Sequence, residues 1–190
     1  MASLRGQRRP WGRSSSSRTF SKLSRKSHLN RAAFWSKITC NKKYKFYSTN
    51  MKYKLVKQKD DFGCGIACVA SLLGITYESS LNLFKNGKCR AKANGLYCRD
   101  ICDALNKKGK KFIYRYVKNR LKCKIYKSGT IVFTKKSKKY PADHYLLRTK
   151  DGWMDPWINF ISNGNIGNAR AVIRKRLSNR AIYFIKEKLF

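Results

Sequence analysis

Cys64 stands between Gly63 and Gly65 in the stretch VKQKDDFGCGIACVASLLG, residues 56–74, at the head of a small and apolar run that reads as a helix. A helix start offers a thiol partial positive charge and unpaired backbone N–H groups, and flanking glycines leave its approach open. A nucleophilic cysteine also needs a proton acceptor. The chain has two histidines, and His144 alone follows residue 50, so a Cys-His pair in that part of the chain has one candidate base. Asp155 is a carboxylate that could orient the imidazole through its other nitrogen. Gln58, six residues before the cysteine, carries an amide N–H that can join the Cys64 backbone N–H at a developing oxyanion. Gly65 and Trp157 are the candidate substrate-contacting residues, one as an open shoulder and one as a wall.

These residues need elements to bring them together. Ala67, Cys68 and Ser71 fall at helical spacing from Cys64, which predicts a helix to Leu73 with Gly74 as its C-cap. TYESSLNLFKNG predicts a second helix, opened by Thr76 or Ser79 and closed by Gly87. NGLYCRDICDALNKKG predicts a third, with a stripe of Leu96, Ile101 and Leu105, a cap at Asn94 and a stop at Gly109. The period then changes. KFIYRYV, CKIYK, TIVFTKK, HYLLRT and WMDPWINF are rich in aromatic and β-branched residues and read as strands, as does KYKLVKQ ahead of the cysteine, and a last helix or strand pair ends in AIYFIKE. Helices first and strands second give an α+β domain, with N-terminal helices packed on a C-terminal antiparallel sheet.

The hairpin carrying His144 and Asp155 sets a test of this reading. A turn at Arg148–Asp151 pairs residue 144 directly with 155, on one face. A turn centred on Asp151-Gly152 pairs 148 with 155 and leaves His144 about 13 Å along the strand. The chemistry requires the first, and that register is the expectation.

Composition sets the limits. The 190 residues hold 45 Lys and Arg against 9 Asp and Glu, a formal net charge of +36, which suits a polyanionic partner or reflects a lysine-rich composition. No run of about 18 apolar residues offers a transmembrane span. Seven cysteines without a secretory signal point to reduced thiols in an intracellular setting. Cys64, Cys68, Cys98 and Cys102 form two C-x3-C pairs with Cys89 nearby, but structural zinc sites favour C-x2-C in a turn. They read as apolar helix faces, and neither metal nor cofactor is expected.

Residues 1–50 differ from the rest: no Asp or Glu, thirteen Lys and Arg, and ten serines. Three readings stand: a mitochondrial presequence, which would send residues 51–190 to the matrix; a dispensable extension before Met51, leaving a cytoplasmic protein; or a basic arm for nucleic acid. All three put the folded domain at 51–190.

QKDDFGCGIA resembles the active-site motif of the papain-like cysteine peptidases that remove double-glycine leader peptides from bacteriocins. Gln58, Cys64 and Gly65 match that motif, and HYLLR and the Asp155-Pro156 pair match the family's histidine and aspartate in kind and order. The similarity covers about residues 51–160, and RAVIRKRLSNRAIYFI resembles the closing segment of small stand-alone members. It implies a papain-like fold, a Cys64-His144-Asp155 triad, a Gln58-assisted oxyanion hole and a peptide or protein substrate. Gly63 departs from the family's usual acidic residue, and the histidine-to-aspartate spacing is shorter than in transporter-linked members. Two other functions remain in view. One is a basic nucleic-acid-binding or ribosome-associated module, supported by KKFIYRYVKNRLKCKIYK. The other is an inactive peptidase fold that binds peptides without cutting them.

Overall fold

The run from Cys64 to Leu73 is small or apolar on nearly every side, which suits a helix enclosed by the rest of the domain. In the computed structural model, which describes residues 53–138, 140–160 and 164–188, it forms helix α1, Cys64–Leu73, with every residue through Leu72 buried. Gly74 ends it in a left-handed conformation at φ 69°, as its position suggests. The described residues fall within one unit, Thr49–Phe190. The three readings of residues 1–50 concern residues outside those described.

The expected second helix is two short ones. Helix α2, Tyr77–Leu81, is capped by the Thr76 hydroxyl, which accepts from the Ser79 N–H at 3.1 Å. Helix α3, Gly87–Ala93, begins where the first was expected to close. Asn86 turns the chain at φ 55°, and a Cβ on Gly87 would run into the Leu81 carbonyl, so this glycine serves close approach rather than capping. Helix α4, Cys98–Lys107, opens at Tyr97 instead of Asn94. The Asp100 carboxylate accepts the Tyr97 backbone N–H at 2.8 Å and fixes the start there.

Six strands follow: β1 Phe112–Tyr116, β2 Ile131–Thr134, β3 His144–Arg148, β4 Trp153–Asp155, β5 Val172–Arg174 and β6 Ala181–Glu187. Among the described residues they make one antiparallel sheet in the order β1-β6-β2-β3-β4-β5. The α+β arrangement is as expected. Two of the expected strands are absent. CKIYK lies in a 3-10 helix, Asn119–Tyr126, whose Ile125 packs on Val132, Leu146, Trp153 and Phe184. That segment covers the outer sheet face rather than adding to it. Residues 53–59 are extended but unpaired as a strand; the Ser71 hydroxyl ties Lys54 O to α1 at 2.6 Å, and Gln58 N–H donates to Pro156 O at 3.3 Å. WMDPWINF is strand only to Asp155, because Pro156 has no N–H to continue the ladder.

The β3–β4 register is neither of the two considered. Arg148 pairs with Trp153 and Leu147 with Met154. Thr149 decides this: its N–H donates to Gly152 O at 2.8 Å and its hydroxyl accepts from Gly152 N–H at 3.2 Å, closing the turn around Lys150-Asp151. Continuing that ladder sets Asp155 opposite Leu146, one two-residue step from His144. Because the step is two, both side chains keep the same face.

The inner sheet face packs on the helices through Phe112, Ile131, Tyr145, Leu147, Met154 and Ile185. No helix among the described residues is long and apolar enough to cross a membrane.

Candidate active site

Cys64 is the first residue of α1. The first intrahelical donor after it is Ala67, whose N–H reaches Gly63 O at 3.0 Å, so the opening N–H groups of the turn have no intrahelical partner. The preceding loop is tightly tied. Gly63 N–H donates to Asp60 O at 2.9 Å, Phe62 N–H to Ala91 O at 2.8 Å, and the Tyr77 hydroxyl to Asp60 Oδ2 at 3.0 Å. Tyr77 therefore occupies the space beside Gly63, and a Cβ there would collide with its hydroxyl. Gly63→Ala should cost roughly 1–3 kcal/mol in urea unfolding. Tyr77→Phe in the same chain should recover part of that loss, and a neutral Gly63→Ala would sink this account of the glycine.

His144 opens β3, and its Nε2 lies 2.9 Å from Asp155 Oδ1, a shorter approach than the offset register alone would give. The long imidazole closes the diagonal. With Nε2 so engaged, the other ring nitrogen is left free of Asp155, and His144 lines the same cleft as Cys64. Burial opposes a charge on this ring. The hydrogen bonds and negative charges of Asp155 and Cys64 overcome it and push the His144 pKa up to about 10.

Asp155 is 1 % exposed, and each of its oxygens is used. Oδ1 also accepts the Trp157 backbone N–H at 3.0 Å, and Oδ2 accepts Arg174 Nη1 at 2.8 Å. Burial alone would raise this carboxyl; His144, Trp157 and Arg174 together hold it below the usual carboxylate range. Arg174 comes from β5, where Val172 pairs with Asp155, and its Nη2 donates to the Tyr140 hydroxyl at 2.9 Å. Its guanidinium also lies over the Tyr140 ring, 5.1 Å from the centroid. Sequence reasoning missed Arg174. It lies in RAVIRKRLSNR, one of four arginines that nothing in the sequence distinguishes.

Gln58 is buried, and its Nε2 donates to the carbonyls of Asp60 and Asp61 at 3.1 and 3.2 Å. Its amide thus braces the loop leading to the nucleophile. Its Oε1 and the Trp157 indole N–H are buried with no hydrogen-bond partner among the described residues. Both residues line the same cleft of about 960 Å³ that holds Cys64, His144, Asp155 and Arg174. Gly65 does not line it. Its α-carbon is closed in by Ile101 and Tyr145, where a Cβ would come within 3.2 and 3.3 Å of their side chains. Trp157 is buried at the cleft wall, ring to ring with Phe160 at 4.8 Å.

Two other thiols are buried away from the cleft. Cys68 is fully buried, and burial, followed by the charges of Cys64 and Asp155, raises its pKa well above the ordinary thiol value. Burial likewise pushes Cys102 up to about 12. Among the described residues no His, Cys, Asp and Glu side chains gather into a group able to hold a metal ion.

No family model and no curated protein matches the chain. Among solved structures it is similar to the peptidase domain of Streptococcus ComA, a bi-functional ABC transporter involved in a quorum-sensing pathway. The two are 21% identical over 72% of this chain and 98% of that one, with a TM-score of 0.42.

Proposed function

We propose that this chain is a papain-like cysteine peptidase that hydrolyses peptide bonds with a Cys64-His144-Asp155 triad. The observation that carries the reading is the His144 ring 2.9 Å from the Asp155 carboxylate, in one cleft with Cys64 at the start of a buried helix. The order of residues in QKDDFGCGIA, HYLLR and DP supports it independently.

In this mechanism His144 holds the proton taken from Cys64, and Sγ attacks the substrate carbonyl. The Cys64 backbone N–H donates to the resulting oxyanion. Gln58 supplies the second donor when one of its two N–H groups turns from the Asp61 carbonyl to the substrate oxygen. His144 then protonates the leaving amine, and the C–N bond breaks to leave a thioester on Cys64. Water attacks that thioester with His144 as base, which releases the acid and returns the thiol. Asp155 keeps the ring oriented throughout. Trp157 walls the cleft that receives the peptide.

The test needs no knowledge of the substrate. The rate of Cys64 alkylation by iodoacetamide is read by peptide mass mapping from pH 5 to 10, in the native protein and in His144→Ala. Rapid labelling well below pH 8.5, the ordinary thiol value, that collapses in His144→Ala is the expected result. Slow labelling that is unchanged by the substitution would sink the reading and leave a fold that binds peptides without cutting them.

A further inference from the structure

The outer face of the sheet carries a feature unconnected with the cleft. Residues 104–142 hold fourteen Lys and Arg and no Asp or Glu. Folding brings three of them, Arg115, Lys124 and Lys127, together with Lys186. The register pairs Ile113 with Lys186 and Arg115 with Phe184, and Phe184 packs in the outer cluster, so Arg115 and Lys186 share the outer face. The 3-10 helix Asn119–Tyr126 is pinned on that face by buried Ile125, and it leaves Lys122, Lys124, Tyr126 and the following Lys127 exposed. Partial burial, then the charges of Lys124, Lys127 and Arg115, pull the Lys186 ammonium below the ordinary lysine value. None of the ion pairs among the described residues involves any of these four cations. Four like charges brought together without a carboxylate raise the energy of the free protein, and a bound polyanion relieves it.

We infer that this face, formed by Arg115, Lys124, Lys127 and Lys186, binds the phosphate backbone of a single-stranded nucleic acid. Two features favour that partner over a lipid surface. Tyr126 is 56% exposed and offers a ring on which a base can stack, with the Arg148 guanidinium 6.0 Å from its centroid. Across residues 111–127 no aliphatic side chain is exposed, whereas an interfacial membrane contact inserts such side chains.

The experiment measures fluorescence anisotropy of a labelled mixed-sequence 20-nucleotide RNA with the full chain between 50 and 200 mM KCl. One variant carries Arg115→Gln, Lys124→Gln, Lys127→Gln and Lys186→Gln. A charge-matched control carries Lys57→Gln, Lys85→Gln, Lys88→Gln and Lys92→Gln, all exposed away from this face. Matched urea midpoints establish that both fold. The outer-face variant should bind at least tenfold more weakly, and its salt slope should fall by roughly 3, at about 0.7 per single-strand phosphate contact. The control should change affinity less than threefold. Tyr126→Ala should weaken binding without altering the salt slope. Equal losses in both variants, or no loss in the first, would overturn the inference. So would face-dependent binding to phosphatidylserine vesicles without binding to the RNA.

Discussion

Asp155→Asn should slow alkylation of Cys64 at pH 6 by on the order of a hundredfold while also destabilising the fold. The kinetic ceiling follows from ordinary thiol chemistry. A cysteine with an unperturbed value near 8.5 is about 0.3% ionised at pH 6, so losing the partnership of His144 cannot cost more than roughly 300-fold. Asparagine keeps the shape of Asp155 but removes the charge that favours a protonated His144. The stability loss has a separate origin. Arg174, with a side chain 17% exposed, would face a neutral amide instead of a carboxylate. Breaking one side of a buried ion pair costs about 3–5 kcal/mol, more than the pair itself contributes over an apolar replacement. Arg174→Met should be costly for the mirror-image reason. Combining the two substitutions should therefore destabilise by less than the sum of the single ones, because neither orphaned charge remains. Alkylation should not recover in the double variant, since His144 still lacks its carboxylate. Strict additivity of the two unfolding costs would show that Arg174 does not act with Asp155 as a unit.

Arg174 also marks the limit of what the sequence discloses. The candidates Cys64, His144 and Asp155 stand out because each is scarce or oddly placed: a thiol between glycines, the sole histidine after residue 50, and one of nine acids, set before proline. Arg174 belongs to the most abundant class in the chain, and only the pairing of Val172 with Asp155 selects it. Helix α1 was legible to the residue because apolar content and a terminal glycine agree. The second helix was misread because Gly87 answers to the Leu81 carbonyl, a contact no local pattern reveals. CKIYK has strand composition, yet a single buried isoleucine over the outer sheet cluster sets its conformation. In the β3–β4 hairpin the function required a shared face, and parity alone delivers that. Direct pairing of His144 with Asp155 is not needed for this, and the Thr149–Gly152 bonds close the turn two residues out of that register. Gln58 illustrates the same gap at the level of one amide, since the carbonyls that occupy it belong to its own loop.

Peptide hydrolysis should have its alkaline limb near pH 10 rather than near the ordinary histidine value of about 6.5. The sign follows from the proton's task. The leaving amine takes its proton from the imidazolium, so the rate falls as that form is lost, and Asp155 and Cys64 keep His144 protonated up to about 10. Asp155→Asn removes the carboxylate charge that helps to outweigh burial, and burial then favours the neutral ring. The limb should move down by two or more pH units, in addition to the loss of nucleophile at pH 6. Alkylation of Cys64 supplies the contrast, because iodoacetamide needs the thiolate but no proton donor. Its rate should stay high above pH 10 while hydrolysis collapses. Measuring both rates across pH 5–11 on one preparation separates the two roles. If hydrolysis and alkylation fall together at high pH, the alkaline limb reports unfolding instead of the His144 proton. If both persist, His144 is not the acid that releases the amine.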